Sequence, residues 1–148
     1  MKKILIAVVS LIVIVVVMFL VLGQMSKTGG ALGLQDGKLA KCSSKPNCAS
    51  SEYIEDVEHF VAGLDIAMPH SIPKIESVIT EMGGVIVNKN DDYVAATFTS
   101  ATFGFVDDFE VRVDVEQKRL HFRSASRVGY SDRGVNKKRV ELFKSLYK

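Results

Sequence analysis

The pattern of apolar and polar positions changes several times along the chain, and each change marks an element. Ile4 to Leu22 is an unbroken apolar run of nineteen residues in which Ser10 is the one polar side chain. As a helix it rises about 28 Å, close to the hydrocarbon thickness of a bilayer, so it can span. Further on the period drops to two. Phe109, Val111, Val113 and Val115 alternate with Glu110, Arg112 and Asp114, as in a strand with one apolar face. Leu120, Phe122 and Ser124 then alternate with Arg119, His121, Arg123 and Ala125, and the polar Glu116-Gln117-Lys118 between the runs predicts a turn. The two runs therefore form a hairpin.

Cross-strand charge selects its register. Pairing Val115 with Leu120 sets Arg112 opposite Arg123, whereas pairing Asp114 with Arg119 sets Arg112 opposite His121 and Glu110 opposite Arg123. Like charges in direct opposition destabilise, and opposite charges contribute about 0.2–1 kcal/mol per pair. The second register is expected, with a four-residue loop from Val115 to Lys118. Its polar face carries Glu110, Asp114, Arg119 and Arg123.

Upstream, Ile72, Ile75, Ile79 and Met82 recur at helical spacing behind a capping Ser71 and a first-turn Pro73, and Gly83-Gly84 ends the pattern. Val85 to Val87 and Tyr93 to Thr99 read as strands joined by the turn-forming Asn88–Asp92. Ser50 to Asp65 is mostly irregular, with Phe60, Val61 and Leu64 as core contacts. Near the carboxyl end Ser131 and Asp132 can cap a helix whose stripe is Val140 and Phe143, continued by Leu146 or Tyr147. The expected fold is α+β: a four-stranded antiparallel meander with two helices, about 71–83 and 134–147, on one face. Glu110 and Arg123 are expected on the other.

Before the apolar run stand Lys2 and Lys3, which the positive-inside rule keeps cytoplasmic. A cleaved signal has an apolar region of about 7–15 residues and an Ala-x-Ala-like site, and LVLGQMSKTGG offers none. Residues 1–25 are therefore expected to be an uncleaved signal anchor, 26–38 a flexible tether, and 39–148 a domain outside the cytoplasm, periplasmic or extracellular. Without residues 1–25 the balance is seventeen Lys+Arg against seventeen Asp+Glu. That neutrality, with export, disfavours nucleic acid as a partner.

The charge is unevenly placed. Pro46 to Pro73 holds five acids and no Lys or Arg, while Arg119 to Arg139 holds seven basic residues against one acid, Asp132. Such a run is either a solvated face paired with the chain's own acids or an anion site. Arg133, Lys137, Lys138 and Arg139 crowd a helix start, where cations are disfavoured unless an anion is bound. Cys42 and Cys48, exported to an oxidising compartment, most simply form a disulfide. A redox pair would lack C-x-x-C spacing, and zinc would have only His59, His70 and His121 as nitrogen donors, at spacings unlike any finger. No phosphate-binding glycine loop or nucleophile elbow is present, so no cofactor, metal or serine triad is expected.

The blocks Cys42-Ser-Ser-Lys-Pro-Asn-Cys48-Ala-Ser-Ser51, Phe103-Gly-Phe-Val-Asp-Asp-Phe-Glu110 and Arg123-Ser-Ala-Ser-Arg-Val-Gly-Tyr-Ser-Asp-Arg-Gly-Val-Asn-Lys-Lys-Arg139 resemble the domain-of-unknown-function family 1499, from about Leu39 to Leu146. The resemblance implies a small exported or membrane-associated protein and assigns no activity. The expected role is an outward-facing module, held in the membrane through residues 4–22, that binds an anionic ligand, envelope component or protein partner. Arg123, Arg127, Tyr130, Ser131, Arg133, Asn136 and Arg139 are the candidate contacts. The alternatives are a hydrolase using Asp107, Asp108 or Glu110 with nearby arginines, and a purely structural envelope protein.

Overall fold

A computed structural model describes residues 1–147. The chain begins with α1 (Lys2–Ser26), then forms a small hairpin of β1 (Leu34–Gln35) and β2 (Lys38–Leu39). β3 (Cys48–Ser50) and β4 (Leu64–Asp65) precede α2 (Ile72–Glu81), followed by β5 (Val85–Lys89), β6 (Tyr93–Thr99), β7 (Val106–Asp114), β8 (Arg119–Ser126) and α3 (Val135–Leu146). α1 is long and apolar enough to cross a membrane.

β7 and β8 pair in the register that cross-strand charge selects: Asp114 faces Arg119, Arg112 faces His121 and Glu110 faces Arg123. The meander β5-β6-β7-β8 is antiparallel throughout. The sheet nevertheless has six strands where four are expected, because β3 and β4 both pair with β8. Left as an edge, β8 would present a row of unpaired amides and carbonyls, and these two short segments cover it end to end. With two and three residues, they are too short to show a period.

Both helices lie over one face. Ser71 caps α2, its hydroxyl accepting from the Lys74 amide at 3.2 Å. Ile75, Val78 and Ile79 of α2 and Val140 and Phe143 of α3 meet Phe109, Val111, Val113, Leu120 and Phe122 in the main core. Three of its rings are mutually packed, with Phe109, Phe122 and Phe143 centroids 5.3 to 6.2 Å apart.

The opposite face, where Glu110 and Arg123 stand as expected, is covered. Residues 27–40 cross it as a strap, with Leu39 fully buried against Tyr93 and Ala95. The Gly33 amide donates to Glu110 Oε1 at 2.8 Å, and the Leu39 amide donates to Glu52 Oε1 at 3.2 Å. Within the stretch 26–38 read as a flexible tether, Ser26, Ala31 and Gly33 touch the domain and the other residues are exposed. The disulfide Cys42–Cys48 fastens the far end of the strap beside β3. Closing so short a loop contributes roughly 2–3 kcal/mol at most.

Candidate functional site at the sheet end beside the apolar helix

Successive residues of β7 point to opposite faces, and this divides the three candidate acids. Asp107 lies on the helix face, whereas Asp108 and Glu110 lie under the strap, so they do not form one cluster. Each holds an arginine. Arg139 donates to Asp107 Oδ2 at 2.8 Å, Arg127 grips both oxygens of Asp108 at 2.7 and 2.9 Å, and Arg123 donates to Glu110 Oε2 at 2.8 Å. Glu52, which sequence reasoning passed over, takes a fourth, with Arg112 donating at 2.6 and 3.2 Å. The Asp108 and Glu52 pairs are bidentate, the strongest form of this contact.

Burial and hydrogen bonding pull against each other on the groups of this layer. Burial lowers the Arg112 pKa, but its hydrogen bonds and attraction to Glu52 and Asp114 outweigh that and raise it. The Asp108 hydrogen bonds raise that of Arg127. Burial, followed by donation to Glu110 at 2.7 Å, pushes the Tyr93 phenol well above its ordinary value. Burial pulls the His121 imidazole below its ordinary value, with Glu52 opposing. His121 Nε2 is buried and has no hydrogen-bond partner among the described residues, so a second ring proton would find no acceptor.

On the helix face a polar network closes the end of the core. Asn136, buried in the first turn of α3, accepts from Ser124 Oγ and Arg139 and donates to the Asn47 carbonyl and to Ser126 Oγ at 3.0 and 3.1 Å. Gly134 is the N-cap of that helix, and Asp132, two residues before it, accepts from the Gly134 and Asn136 amides at 2.9 and 2.7 Å through its two carboxylate oxygens. That negative charge at the helix start offsets part of the nearby positive charge. Asp132, expected as a cap, thus bonds to the helix start without occupying the capping position, and Ser131 Oγ accepts from the Arg133 amide at 3.3 Å.

The last turns of α1 are built into the same end of the domain. A Cβ on Gly23 would lie 1.9 Å from the Phe103 carbonyl oxygen, so only glycine permits this approach. Ser26 Oγ is buried and accepts from the Val106 amide at 3.0 Å. Phe19 stacks on Phe103 with centroids 5.1 Å apart. Arg127, while holding Asp108, donates to the Ser26 carbonyl at 3.3 Å, which places a cation at the negative end of α1. Gly23 and Ser26 are small residues at the end of an apolar run, and that is the one signal by which the sequence marks them as a docking point.

Between α1, the 100–107 turn and the 126–135 loop lies a pocket of about 450 Å³. Phe19, Leu22, Phe105 and Val135 form its apolar side. Asp107, Ser126, Tyr130, Ser131 and Asp132 are among its polar residues. Of the seven candidate contacts, only Tyr130 and Ser131 reach it. Arg139 and Asn136 stand behind its wall, Arg123 and Arg127 are committed under the strap, and Arg133 is exposed with no ion-pair partner among the described residues.

These features define a small α+β domain with an arginine–carboxylate layer, preceded by an apolar helix long enough for a membrane. The chain belongs to the family described as "Protein of unknown function (DUF1499)", whose model matches residues 38–146. No curated protein matches it.

Proposed function

We propose that this chain is an uncleaved, single-pass membrane protein whose domain faces out of the cytoplasm and works as a binding module for an envelope component, taken in the pocket beside α1. The docking of Gly23 and Ser26 carries this reading. A signal peptide destined for removal has no use for a turn that supplies the hydrogen-bond partner of the Val106 amide. Orientation is supported by Lys2 and Lys3 ahead of the span, and export by the Cys42–Cys48 disulfide.

The proposed pocket takes residues of the basic run but none of its lysines or arginines. Arg123, Arg127 and Arg139 are paired with carboxylates within the fold, which leaves Arg133, Lys137 and Lys138 as the basic residues of the run without an ion pair among the described residues. Burial and pairing under the strap count against Asp108 and Glu110 as the acid or base of the hydrolase alternative, which leaves Asp107, at the pocket, as its one accessible carboxylate of the three. The test is the intact mass of the protein extracted from membranes, together with labelling of cysteines placed at Lys3 and Tyr130 by a membrane-impermeant reagent. A full-length chain labelled only at position 130 is expected. A mature chain beginning near residue 23 or later, or labelling at position 3, would overturn it.

A further inference from the structure

The pocket's walls differ in kind, and its depth is set by its own anchor. Phe19 and Leu22 are among the last residues of the apolar run, so in the anchored reading on which this inference rests the pocket opens where hydrocarbon gives way to head groups. The molecule present at that depth is a lipid of the surrounding bilayer. Its glycerol and upper acyl carbons would lie against Phe19, Leu22, Phe105 and Val135.

The polar wall specifies what the head group must offer. No Lys or Arg is among the lining residues. Arg139 occupies Asp107 Oδ2, and Oδ1 receives no hydrogen bond from the described residues. The hydroxyls of Ser126, Ser131 and Ser100 each already accept one backbone or amide proton and keep a further lone pair. The wall thus offers acceptors at Asp107 Oδ1 and at serine hydroxyls that can also donate. The formal charges among its lining residues are the carboxylates of Asp107, which Arg139 pairs, and Asp132, an arrangement that favours a head group with N–H or O–H donors over a bare phosphate. We infer that the pocket holds one lipid of the chain's own bilayer, with a head group that donates hydrogen bonds through an ammonium or sugar hydroxyls.

Native mass spectrometry of the full chain, extracted in mild detergent and offered lipids of matched acyl chains, tests this. Phosphatidylethanolamine and a monoglucosyl diacylglycerol carry donors, phosphatidylcholine keeps the zwitterion without N–H groups, and phosphatidic acid carries phosphate alone. One ethanolamine or glucosyl lipid per chain is expected, retained about tenfold better than phosphatidylcholine, the ratio that loss of one or two hydrogen bonds produces. Val135→Trp, which fills the apolar side, should abolish retention, and Val85→Trp on the far sheet edge should leave it intact. If the first variant melts below the parent, Val135→Phe is read in its place. Equal retention of phosphatidylcholine or phosphatidic acid, indifference to filling, or no retained lipid overturns the inference. The same spectra report chain mass, so a chain cut near residue 23 exposes failure of the anchored reading itself, whereas a full-length chain without lipid refutes the lipid alone.

Discussion

On the helix side of the sheet Phe109, Val111, Leu120 and Phe122 meet Ile75, Ile79, Val140 and Phe143; on the strap side, one step along the same strands, stand Asp108, Glu110, Arg112, His121 and Arg123. Both sets are buried or nearly so. The first is held by apolar area, which is non-directional and forgiving of small shifts. The second is held by hydrogen bonds to charges, each of which needs its particular partner. A buried ion pair roughly breaks even against apolar residues of similar volume, yet removing one partner costs about 3–5 kcal/mol. The helix side therefore supplies stability, and the strap side supplies uniqueness of register.

The largest way to break this comparison lies on the apolar side. Phe122→Ala should destabilise the domain by about 3–5 kcal/mol in denaturant titrations, since the ring is fully buried among Phe109 and Phe143. On the ionic side Glu110→Gln leaves Arg123 short of its counter-charge and should cost about 3 kcal/mol. The combination Tyr93→Phe, Glu110→Met and Arg123→Met should recover most of that loss. If the triple variant is no more stable than Glu110→Gln, the ionic layer is a source of stability and the contrast drawn above fails.

Smaller effects sharpen it. Replacing Cys42 and Cys48 by serine should lower stability by about 2 kcal/mol and raise hydrogen exchange in residues 27–40 before the helices respond. Acid should act through His121. Its folded form binds fewer protons than the unfolded chain, so the stability it gives is complete above about pH 6.5 and is lost as pH falls below that, through the window down to its depressed folded value. In a pH series of melting curves His121→Gln should flatten this slope; an unchanged slope would assign it to other groups.

The hairpin shows how far the sequence could be read. Its register followed from two opposite-charge pairs and the avoidance of Arg112 against Arg123, and both helices followed from spacing, with a side-chain cap on α2, because these signals are local. The strap escaped because it contributes little that repeats: one buried leucine, one backbone amide on Glu110, and turns in which Gly33 and Gly37 take positive φ. Nothing within residues 27–40 announces that its partner lies some seventy positions away. Asp107 and Asp108 misled for a different reason. Adjacent acids look like a site on paper, and only the period-two rule, applied to the residue before Phe109 as well as after it, sends them to opposite faces. The candidate site was legible as a region, 103–139, but its outer wall comes from α1, which no motif connects to it.

The docked end of α1 also decides how the domain explores its surroundings. A loose linker of thirteen residues, 26–38, would let the domain wander over about 20 Å above its anchor. With Gly23 seated on the Phe103 carbonyl and the strap laid flat, that reach is gone. In the anchored reading the domain travels with its helix at one fixed height, like a keel. Partners within the membrane meet it by lateral diffusion alone, while those in solution must descend to the bilayer surface to be met at all.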